Sequence, residues 1–363
     1  MRYSGVAWSG VGFEVAVLDG AGRPVGPAAR FAAGGLGSLT EHLLRLQGEF
    51  ARAGQHLVTV VDSTNGIVDG ALTGAGLAVY RADPWVLPDR PAFGSVPAAE
   101  LAGAAVRDFG SVVRLVPGAG TLAGRGAELA ADIDASAADL ERMRRAGRCR
   151  WADPCALPLV ALTFDDGPNP PYTGRVLDVL DRHGVPATFF CVGLHALAHR
   201  AELERMAAAG HQIANHTWSH PYLPDLSRPE LLAQLERTDE ALAAAVGGDG
   251  PRMFRPPYGG RTPRVLDWLR ASDTTMVLWD VDPADWSMPG ADAVTAAVLA
   301  QARPGALILL HDGGGDRSQT VAALPAVIEG LRDRGYGFAR VDALPGAGAT
   351  GSPGQTVPGS PKV

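Results

Sequence analysis

Two adjacent aspartates, Asp165 and Asp166, follow a short apolar run in the segment LTFDDGP, residues 162–168. Neighbouring carboxylates repel each other, and a metal, a shared proton or plain solvation is what usually relieves the repulsion. Adjacent residues that leave a strand point in different directions. One carboxylate could therefore ligate a metal while the other takes a proton from a bound water as a general base.

The segment HTWSH carries two histidines, His216 and His220, four residues apart. On one helical turn this spacing puts both imidazoles on the same face. Two imidazoles and a carboxylate make a common three-ligand metal site with an open position for water. For the histidines alone, a solvated loop pair is an equal alternative, and the aspartate pair at a neighbouring strand end favours the metal.

Three further segments carry groups that could complete a hydrolytic site. His311 ends the apolar run LILLHD, where it is placed to act as a general acid for a leaving amine. Arg255 precedes two prolines in RPPYGG; these lack backbone donors, which leaves the amide of Tyr258 to face an oxyanion. The segment DVDPADW offers carboxylates and an indole, with an ordinary polar loop as the alternative.

Strand-like and helix-like stretches alternate from Leu157 onwards, which predicts an α/β fold with a parallel sheet. Seven strands in this region indicate a closed or nearly closed (β/α) barrel, whose chemistry gathers at the carboxyl ends of the strands. The reactive residues above lie at such ends. The seven strand candidates are residues 157–164, 187–193, 211–216, 252–256, 274–281, 306–312 and 336–341.

The segments LTFDDGP, HTWSH, RPPYG, DPADW and LILLHD, in this order, resemble the five motifs of the polysaccharide deacetylase family, carbohydrate esterase family four. The resemblance covers residues 157–342. It implies a distorted (β/α) barrel and a divalent metal, zinc first, with cobalt or nickel as alternatives. The metal would be held by Asp166, His216 and His220.

The same resemblance implies a role for each remaining motif residue. Asp165 would be the general base and His311 the general acid. Arg255 would fix the base, and Asp285 would tune His311. The amide of Tyr258 would stabilise the oxyanion together with the metal, and Trp286 and Leu309 would form the apolar slot for the acetyl methyl group.

Residues 1–125 have the order strand, strand, strand, helix, strand, helix, strand, which resembles an RNase H-like fold. The segment VDSTNG, residues 61–66, is similar to the N-terminal domains of one class of insertion-sequence transposases. These nucleases need an acid on the first strand, where this chain has Ala7. Asp62 remains on a later strand, and Gly94 and Pro97 stand at the places of further acids. Without clustered carboxylates we predict a scaffold or partner contact rather than a nuclease, with residual nucleic-acid binding as the alternative.

Two shorter segments complete the predicted organisation. Residues 126–156 are predicted as a helical linker, and the Gly/Pro/Ser-rich residues 343–363 as a disordered tail. Cys149 and Cys155 are close enough in sequence to pair in an oxidising compartment.

Composition bounds the partners. The 363 residues include 32 basic and 39 acidic side chains, a net charge of −7, which argues against nucleic acid or anionic membrane as the main partner. No apolar run is long enough to span a bilayer. The N-terminus lacks a signal-peptide pattern, so we expect a cytoplasmic protein; a mis-assigned start or unconventional export would make it extracellular. The sequence makes no prediction of the oligomeric state.

The sequence therefore predicts a metal-dependent hydrolase that removes N-acetyl groups from amino-sugar glycans: peptidoglycan, chitin oligosaccharides or a related N-acetylated sugar. An O-acetyl esterase of the xylan type is one alternative, because the same site could cleave an ester. A non-catalytic carbohydrate-binding or regulatory protein is another, and the presence of both Asp165 and His311 counts against it. A nucleic-acid-associated role of residues 1–125 is the last.

Overall fold

The computed structural model describes residues 1–116, 122–152, 157–248, 252–270 and 272–345. Cys155 and residues 346–363 of the predicted tail lie outside these ranges. The pairing of Cys149 with Cys155 and the disorder of that segment therefore stay predictions.

Six strands form the first sheet, in the spatial order β3-β2-β1-β4-β5-β6. The strands are β1 (Arg2–Trp8), β2 (Gly12–Asp19), β3 (Ala29–Ala32), β4 (Leu57–Asp62), β5 (Val79–Ala82) and β6 (Val112–Arg114). The helices packed on them are α1 (Leu36–Arg52), α2 (Gly66–Gly74) and α3 (Ala98–Arg107). Strands β1, β4 and β5 are parallel, whereas β2, β3 and β6 pair antiparallel with their neighbours. The predicted order of three strands, helix, strand, helix and strand is observed from β1 to β5.

Alternation along β4 explains why helices cover both faces of this sheet. Leu57 and Val61 face the cluster that contains α1 and α2, whereas Val58 and Val60 face the cluster that contains α3. Successive strand side chains point to opposite faces, so a strand that is apolar at every position must be covered twice.

The predicted helical linker contains two helices rather than one, α4 (Gly126–Ala135) and α5 (Ala137–Arg145). Ser136 separates them, and its hydroxyl donates to the main-chain oxygen of Asp132 in the preceding turn. A short strand, β7 (Cys149–Arg150), follows and pairs within the second sheet.

The second sheet contains all seven strands predicted for the barrel. They are β8 (Leu159–Asp165), β9 (Thr188–Cys191), β10 (Gln212–Asn215), β11 (Met253–Phe254), β12 (Thr275–Val277), β13 (Leu307–His311) and β14 (Gly337–Phe338). The helices between and after them are α6 (Tyr172–His183), α7 (Gly193–Ala198), α8 (Arg200–Ala208), α9 (Arg228–Val246), α10 (Pro263–Arg270), α11 (Ala291–Gln301) and α12 (Ser318–Asp333).

The strands run parallel in the order β13-β8-β9-β10-β11-β12-β7, and β14 pairs with the start of β8. An antiparallel bridge from Ala152, just beyond β7, to Ala306 and a parallel bridge from Val281, just beyond β12, to Ile308 of β13 link the two ends of this order. The sheet is thus a distorted (β/α) barrel, as predicted. Because the strands are parallel, their carboxyl ends meet at one mouth.

One hydrophobic cluster joins the two sheets. Trp8 and Val61 of the first sheet share it with Val192, Leu194 and Trp218 of the barrel region. A shared apolar core fixes the position of the first sheet beside the barrel mouth. In the part of the chain that the structure describes, no helix has the length and apolar character needed to cross a membrane.

Candidate active site

The chemically reactive residues are carried by the carboxyl ends of neighbouring barrel strands. Asp165 is the last residue of β8, and Asp166 follows it. His216 follows β10, Arg255 follows β11, and His311 is the last residue of β13. Residues distant in sequence therefore meet at the mouth because the strands are parallel and adjacent.

Asp166, His216 and His220 lie together, with one ligand atom of each within 4.8 Å of the others. The Nε2 atom of His216 is 3.4 Å from Asp166 Oδ1, and that of His220 is 3.1 Å from the same oxygen. The main-chain oxygen of Arg255 can only accept, so the Nδ1 of His216, 2.7 Å away, must donate to it. This hydrogen bond fixes the tautomer that leaves the Nε2 lone pair of His216 facing the cluster.

The buried Oδ1 of Asp166 has no hydrogen-bond partner. An unsatisfied buried carboxylate oxygen is costly, and a divalent cation among one carboxylate and two imidazoles would satisfy it. Nitrogen and oxygen donors of this kind suit zinc and similar transition metals. The three residues thus fit a divalent metal.

The two histidines converge without the helical turn that their spacing suggested, and that prediction is wrong. Residues 216–222 are irregular, and Thr217 and His220 have positive φ angles of 68° and 57°. These left-handed residues turn the loop so that both rings point inward. The Nδ1 of His220 lies 3.0 Å from the hydroxyl of Tyr258, which orients the second ring.

The electrostatics around Asp166 favour its charged form. Burial alone would raise the pKa of this carboxyl, but His220 and His216 beside it hold the pKa well below its usual range. His195 donates through Nδ1 to the main-chain oxygen of Asp166 at 2.7 Å. Burial lowers the pKa of His195 to about 4, so this ring is neutral and acts as a fixed support.

Asp165 is paired with a buried arginine. The Nη1 atom of Arg255 donates to Asp165 Oδ1 at 2.7 Å and to the hydroxyl of Thr163 at 2.8 Å. The guanidinium is fully buried and lies 4.1 Å from the centre of the Phe190 ring. Burial lowers the pKa of Arg255, and the carboxylate of Asp165 opposes that shift. This pairing leaves Oδ2 of Asp165 turned towards His216, at 3.7 Å from its Nε2.

His311 ends β13, where it pairs in register with Asp165 of β8, and it is held by Asp285. Its Nδ1 donates to Asp285 Oδ1 at 2.7 Å, and its main-chain N–H donates to Oδ2 at 2.9 Å. Thr320 also donates to Oδ2. Burial would lower the pKa of His311, but the Asp285 carboxylate raises it to about 9. The imidazole is therefore protonated at neutral pH, and its Nε2–H is available as a proton donor.

These groups line one cavity of about 380 Å³, which also contains Tyr258, Trp286 and Leu309. Leu309 is buried, whereas Trp286 is 40 % exposed at the rim. All ten residues singled out from the sequence thus lie at or against the same cavity: Asp165, Asp166, His216, His220, Arg255, Tyr258, Asp285, Trp286, Leu309 and His311.

Backbone strain is concentrated here. Asp166, His220 and Tyr258 have positive φ angles of 76°, 57° and 60°. Such angles cost energy in residues with a Cβ atom, and they persist where the surrounding structure enforces them, often at functional sites.

Several contributors were not found from the sequence. Thr320 and His195 lie within helices and offer no pattern in the sequence. The helix α2 of the first sheet also lines the cavity, through positions 66, 69, 70 and 73, which are spaced as one helical face. That spacing is visible in the sequence, but nothing in it says what the face contacts.

Asp62, the acid retained on β4, is fully occupied by protein groups. Its Oδ1 accepts from the main-chain N–H and the hydroxyl of Thr64, and its Oδ2 accepts from the hydroxyl of Ser95 at 2.6 Å. Among the residues that the structure describes, the metal-type cluster is the one at the barrel mouth.

The cavity combines a carboxylate and two imidazoles that could hold a metal with a second carboxylate and a protonated histidine. These are the elements of a metal-dependent hydrolase. The comparisons with known proteins agree with this class. The family model described as "Polysaccharide deacetylase" matches residues 155–277. A chitooligosaccharide deacetylase of Sinorhizobium fredii is 46% identical over 189 residues, which cover 49% of this chain and 88% of that protein.

A peptidoglycan-N-acetylglucosamine deacetylase of Bacillus cereus is 36% identical over 200 residues, which cover 54% of this chain and 93% of that protein. The crystal structure of a peptidoglycan N-acetylglucosamine deacetylase in complex with 4-naphthalen-1-yl-N-oxidanyl-benzamide superposes with a TM-score of 0.54 and 35% identity. The superposition covers 56% of this chain and 94% of that one. The chain belongs to the polysaccharide deacetylase family.

Proposed function

We propose that this protein is a metal-dependent hydrolase that removes acetyl groups from N-acetylated amino sugars. The observation that carries the proposal is the unsatisfied Oδ1 of Asp166 between two imidazole nitrogens, in a cavity that Asp165 and His311 also line. The names of the relatives, chitooligosaccharide deacetylase and peptidoglycan-N-acetylglucosamine deacetylase, support the choice of substrate class.

We assign Asp166, His216 and His220 as the residues that hold the metal, with zinc as the first candidate and cobalt or nickel as alternatives. When bound, the ion would polarise the acetamide carbonyl and lower the pKa of the attacking water. The nitrogen-rich donor set supports zinc over magnesium or calcium, which prefer oxygen ligands.

Asp165 is assigned as the general base that takes a proton from the attacking water. Its Oδ1 is held by Arg255, so Oδ2 is the oxygen directed at the cluster. The buried guanidinium holds this carboxylate in one rotamer, with Oδ2 turned towards the cluster, as a general base requires.

His311 is assigned as the general acid that protonates the leaving amine nitrogen through Nε2. The Asp285 carboxylate supports this role, because it raises the pKa of His311 to about 9 and fixes the ring. We assign the oxyanion contact to the main-chain amide of Tyr258, whose left-handed conformation turns this peptide away from an ordinary extended path. Leu309 and Trp286 would enclose the acetyl methyl group.

The roles of the other parts of the chain are also proposals. We propose residues 157–342 as the catalytic unit, 126–156 as the linker, and 1–125 as an RNase H-like unit without nuclease activity. The strand order β3-β2-β1-β4-β5, with β1, β4 and β5 parallel, supports that last assignment. The occupation of both Asp62 oxygens by Thr64 and Ser95 supports the absence of nuclease chemistry.

The test is a measurement of free amine and acetate released from N-acetylglucosamine and its oligomers by chelator-treated protein, before and after zinc is restored. We expect zinc-dependent release of both products in equal amounts. Acetate without amine, from O-acetylated xylan, would replace the proposal with an esterase. No turnover of either substrate by zinc-loaded protein would overturn it in favour of a binding role.

A further inference from the structure

We propose that helix α2 of the first sheet is a fixed wall of the substrate cavity. In this arrangement Asp69 binds sugar hydroxyls. The enzyme acts on a free N-acetylated amino sugar or on one at the end of a chain, and the rest of the substrate is neutral or cationic. The proposal rests on the proposed function and names the substrate class of that same site.

The helix α2 lies in direct contact with both sides of the mouth. A Cβ atom at Gly66 would overlap the main-chain oxygen of His220 and the hydroxyl of Tyr258, on the metal side. A Cβ atom at Gly70 would overlap the main-chain oxygen of Gly314, in the loop that follows His311 on the acid side. The two glycines allow this close approach. The helix therefore spans the cavity from the metal ligands to the loop after the general acid.

The segment that leads into α2 is held by the barrel. The hydroxyl of Ser219 donates to the main-chain oxygen of Thr64 at 2.6 Å, and the amide of Tyr222 donates to that of Ser63 at 3.1 Å. Both donors flank His220. Together with the hydrophobic cluster shared by Trp8 and Trp218, these bonds make α2 a rigid wall rather than a mobile lid.

The walled cavity is small. Its volume of about 380 Å³ lies at the lower end of the roughly 300–1,000 Å³ typical of small-molecule sites. One or two sugar rings fit such a volume, whereas a glycan chain that continues in both directions needs a groove open at both ends.

The chemistry of the wall suits a sugar. Asp69 and Thr73 of α2 line the cavity, and Leu129 of α4 adds apolar surface. The hydroxyl of Thr73 donates to the main-chain oxygen of Asp69 at 2.6 Å, and the Asp69 carboxylate accepts from the main-chain N–H of Gly70, which leaves it further acceptor positions for sugar hydroxyls. Trp279 and Trp286 line the same cavity. Sugar hydroxyls donate well to carboxylates, and the apolar face of a sugar ring packs on indole.

The charges disfavour an anionic remainder. Asp69 and Asp282 are two carboxylates of the cavity outside the catalytic set. Arg317, the one arginine among the described residues that line it, donates to the main-chain oxygens of Gly313, Gly314 and Trp286. Apart from His311 and the proposed metal, which serve the reaction, a phosphate-bearing sugar would therefore meet two carboxylates and a guanidinium that already donates to main-chain oxygens.

The experiment compares N-acetylglucosamine, its disaccharide and hexasaccharide, N-acetylglucosamine 1-phosphate and 4-nitrophenyl acetate on the zinc-loaded full chain. We expect kcat/KM to level off at the disaccharide and the hexasaccharide to lose acetate from one terminal unit, as read by mass spectrometry. We expect the phosphate to lower kcat/KM. A kcat/KM that rises to the hexasaccharide, with several internal acetyl groups released, would overturn the proposal while leaving the deacetylase function in place.

Asp69→Asn tests the wall residue, with Asp292→Asn as its matched control. Asp69 and Asp292 both lie in the first turn of a helix, so the loss of a favourable helix-dipole interaction cancels between the variants. We expect Asp69→Asn to lower kcat/KM for the disaccharide about tenfold more than for 4-nitrophenyl acetate, mainly through KM. The control should change neither.

Gly70→Ala and Gly74→Ala form a second pair on the same helix. A Cβ atom at Gly74 meets nothing within 4 Å, whereas one at Gly70 overlaps Gly314. We expect only Gly70→Ala to change the ratio of disaccharide to hexasaccharide turnover, because it displaces the wall. Equal ratios in both glycine variants, or equal losses on sugar and aryl ester in Asp69→Asn, would overturn the proposal. Absence of zinc-dependent acetate release from every probe would overturn the proposed function itself.

Discussion

In each of the two sheets a central parallel strand ends in aspartate. Asp62 is the last residue of β4, and Asp165 is the last residue of β8, with Asp166 directly after it. Of these two strand ends, only that of β8 has the groups needed for catalysis. At β4, both oxygens of Asp62 accept hydrogen bonds from Thr64 and Ser95. At β8, Oδ1 of Asp166 is buried without a hydrogen-bond partner and faces two imidazole nitrogens. Both carboxylates lie at the end of a strand. They differ because both oxygens of Asp62 already accept hydrogen bonds, whereas Oδ1 of Asp166 accepts none.

This difference has a physical consequence for metal binding. A carboxylate whose lone pairs are already used by protein donors would have to give up those bonds to ligate a cation. A carboxylate held without them gains a partner when the cation arrives. We therefore expect the same substitution, aspartate to asparagine, to remove the metal at the end of β8 and to lower only the stability at the end of β4.

The largest expected effect comes from Asp166→Asn. Loss of the anionic ligand should abolish zinc binding, and with it the several kcal/mol that a metal contributes to the transition state, a fall of roughly 10³-fold or more in kcat. Zinc content by elemental analysis and acetate release check this. Asp62→Asn is the control at the other sheet end, and it should keep one zinc per chain. Equal zinc content in the two variants would contradict the assignment of Asp166, and not Asp62, as a metal ligand.

Asp165→Asn separates the two neighbouring carboxylates. Zinc should stay bound, because the three proposed ligands remain, while kcat should fall by about 10²–10⁴-fold with the loss of the general base. The amide oxygen of asparagine can still accept from Arg255, so we expect the variant to fold. Circular dichroism and zinc content establish that the protein is intact. If the variant lost its zinc instead, Asp165 would be a ligand rather than the base.

Asp285→Asn should change the pH profile more than the peak rate. With Asp285 present, the pKa of His311 is raised to about 9, so the proton-donating form persists through neutral pH and is lost as pH rises towards that value. A bound cation moves this limb somewhat lower. Without the Asp285 carboxylate, burial lowers the pKa of His311, and only the charge of Asp166 still opposes that shift. Activity on the alkaline side should therefore be lost about one to two pH units lower than in the unmodified protein.

The pH dependence of kcat/KM measures this directly, because it reports the ionisations of the free enzyme. Asp333→Asn, on an exposed position at the end of α12, is a control carboxylate far from the mouth. An unchanged alkaline limb in Asp285→Asn would show that the ionisation of His311 does not govern the rate.

The comparison also shows what a sequence can and cannot reveal. All seven barrel strands were predicted because each is a short apolar run between helical stretches, and buried parallel strands require that pattern. The strand β7 (Cys149–Arg150) was not predicted, because two residues are too few to show an alternation of apolar and polar side chains. The break between α4 and α5 lies at Ser136. Because serine also occurs inside helices, the sequence did not reveal this break.

The residues of the site could be predicted from the sequence where they lie within short contiguous motifs. The residues Asp166, His216 and His220 could be named from their types, but the turn that brings the histidines together could not. Positive φ angles at Thr217 and His220, rather than a helical turn, make the imidazoles converge. The contribution of α2 was invisible for a different reason, because it depends on docking between segments far apart in the chain.

The smallest expected effect is that of Asp62→Asn on stability. Asparagine presents an amide N–H₂ group in place of one acceptor oxygen, so Thr64 or Ser95 loses a buried partner, at a cost of about 1–3 kcal/mol. For a chain of 363 residues that unfolds as one unit, we expect the midpoint of thermal unfolding to fall by about 1–4 °C, at roughly 1.3 °C per kcal/mol. Asp108→Asn, in the same region, should cost less, because its exposed amide oxygen can still accept from the main-chain N–H of Gly110. A manganese-dependent nuclease activity that disappears in Asp62→Asn would contradict this structural role. It would mean that the first sheet end, like the second, can release its carboxylate to a metal.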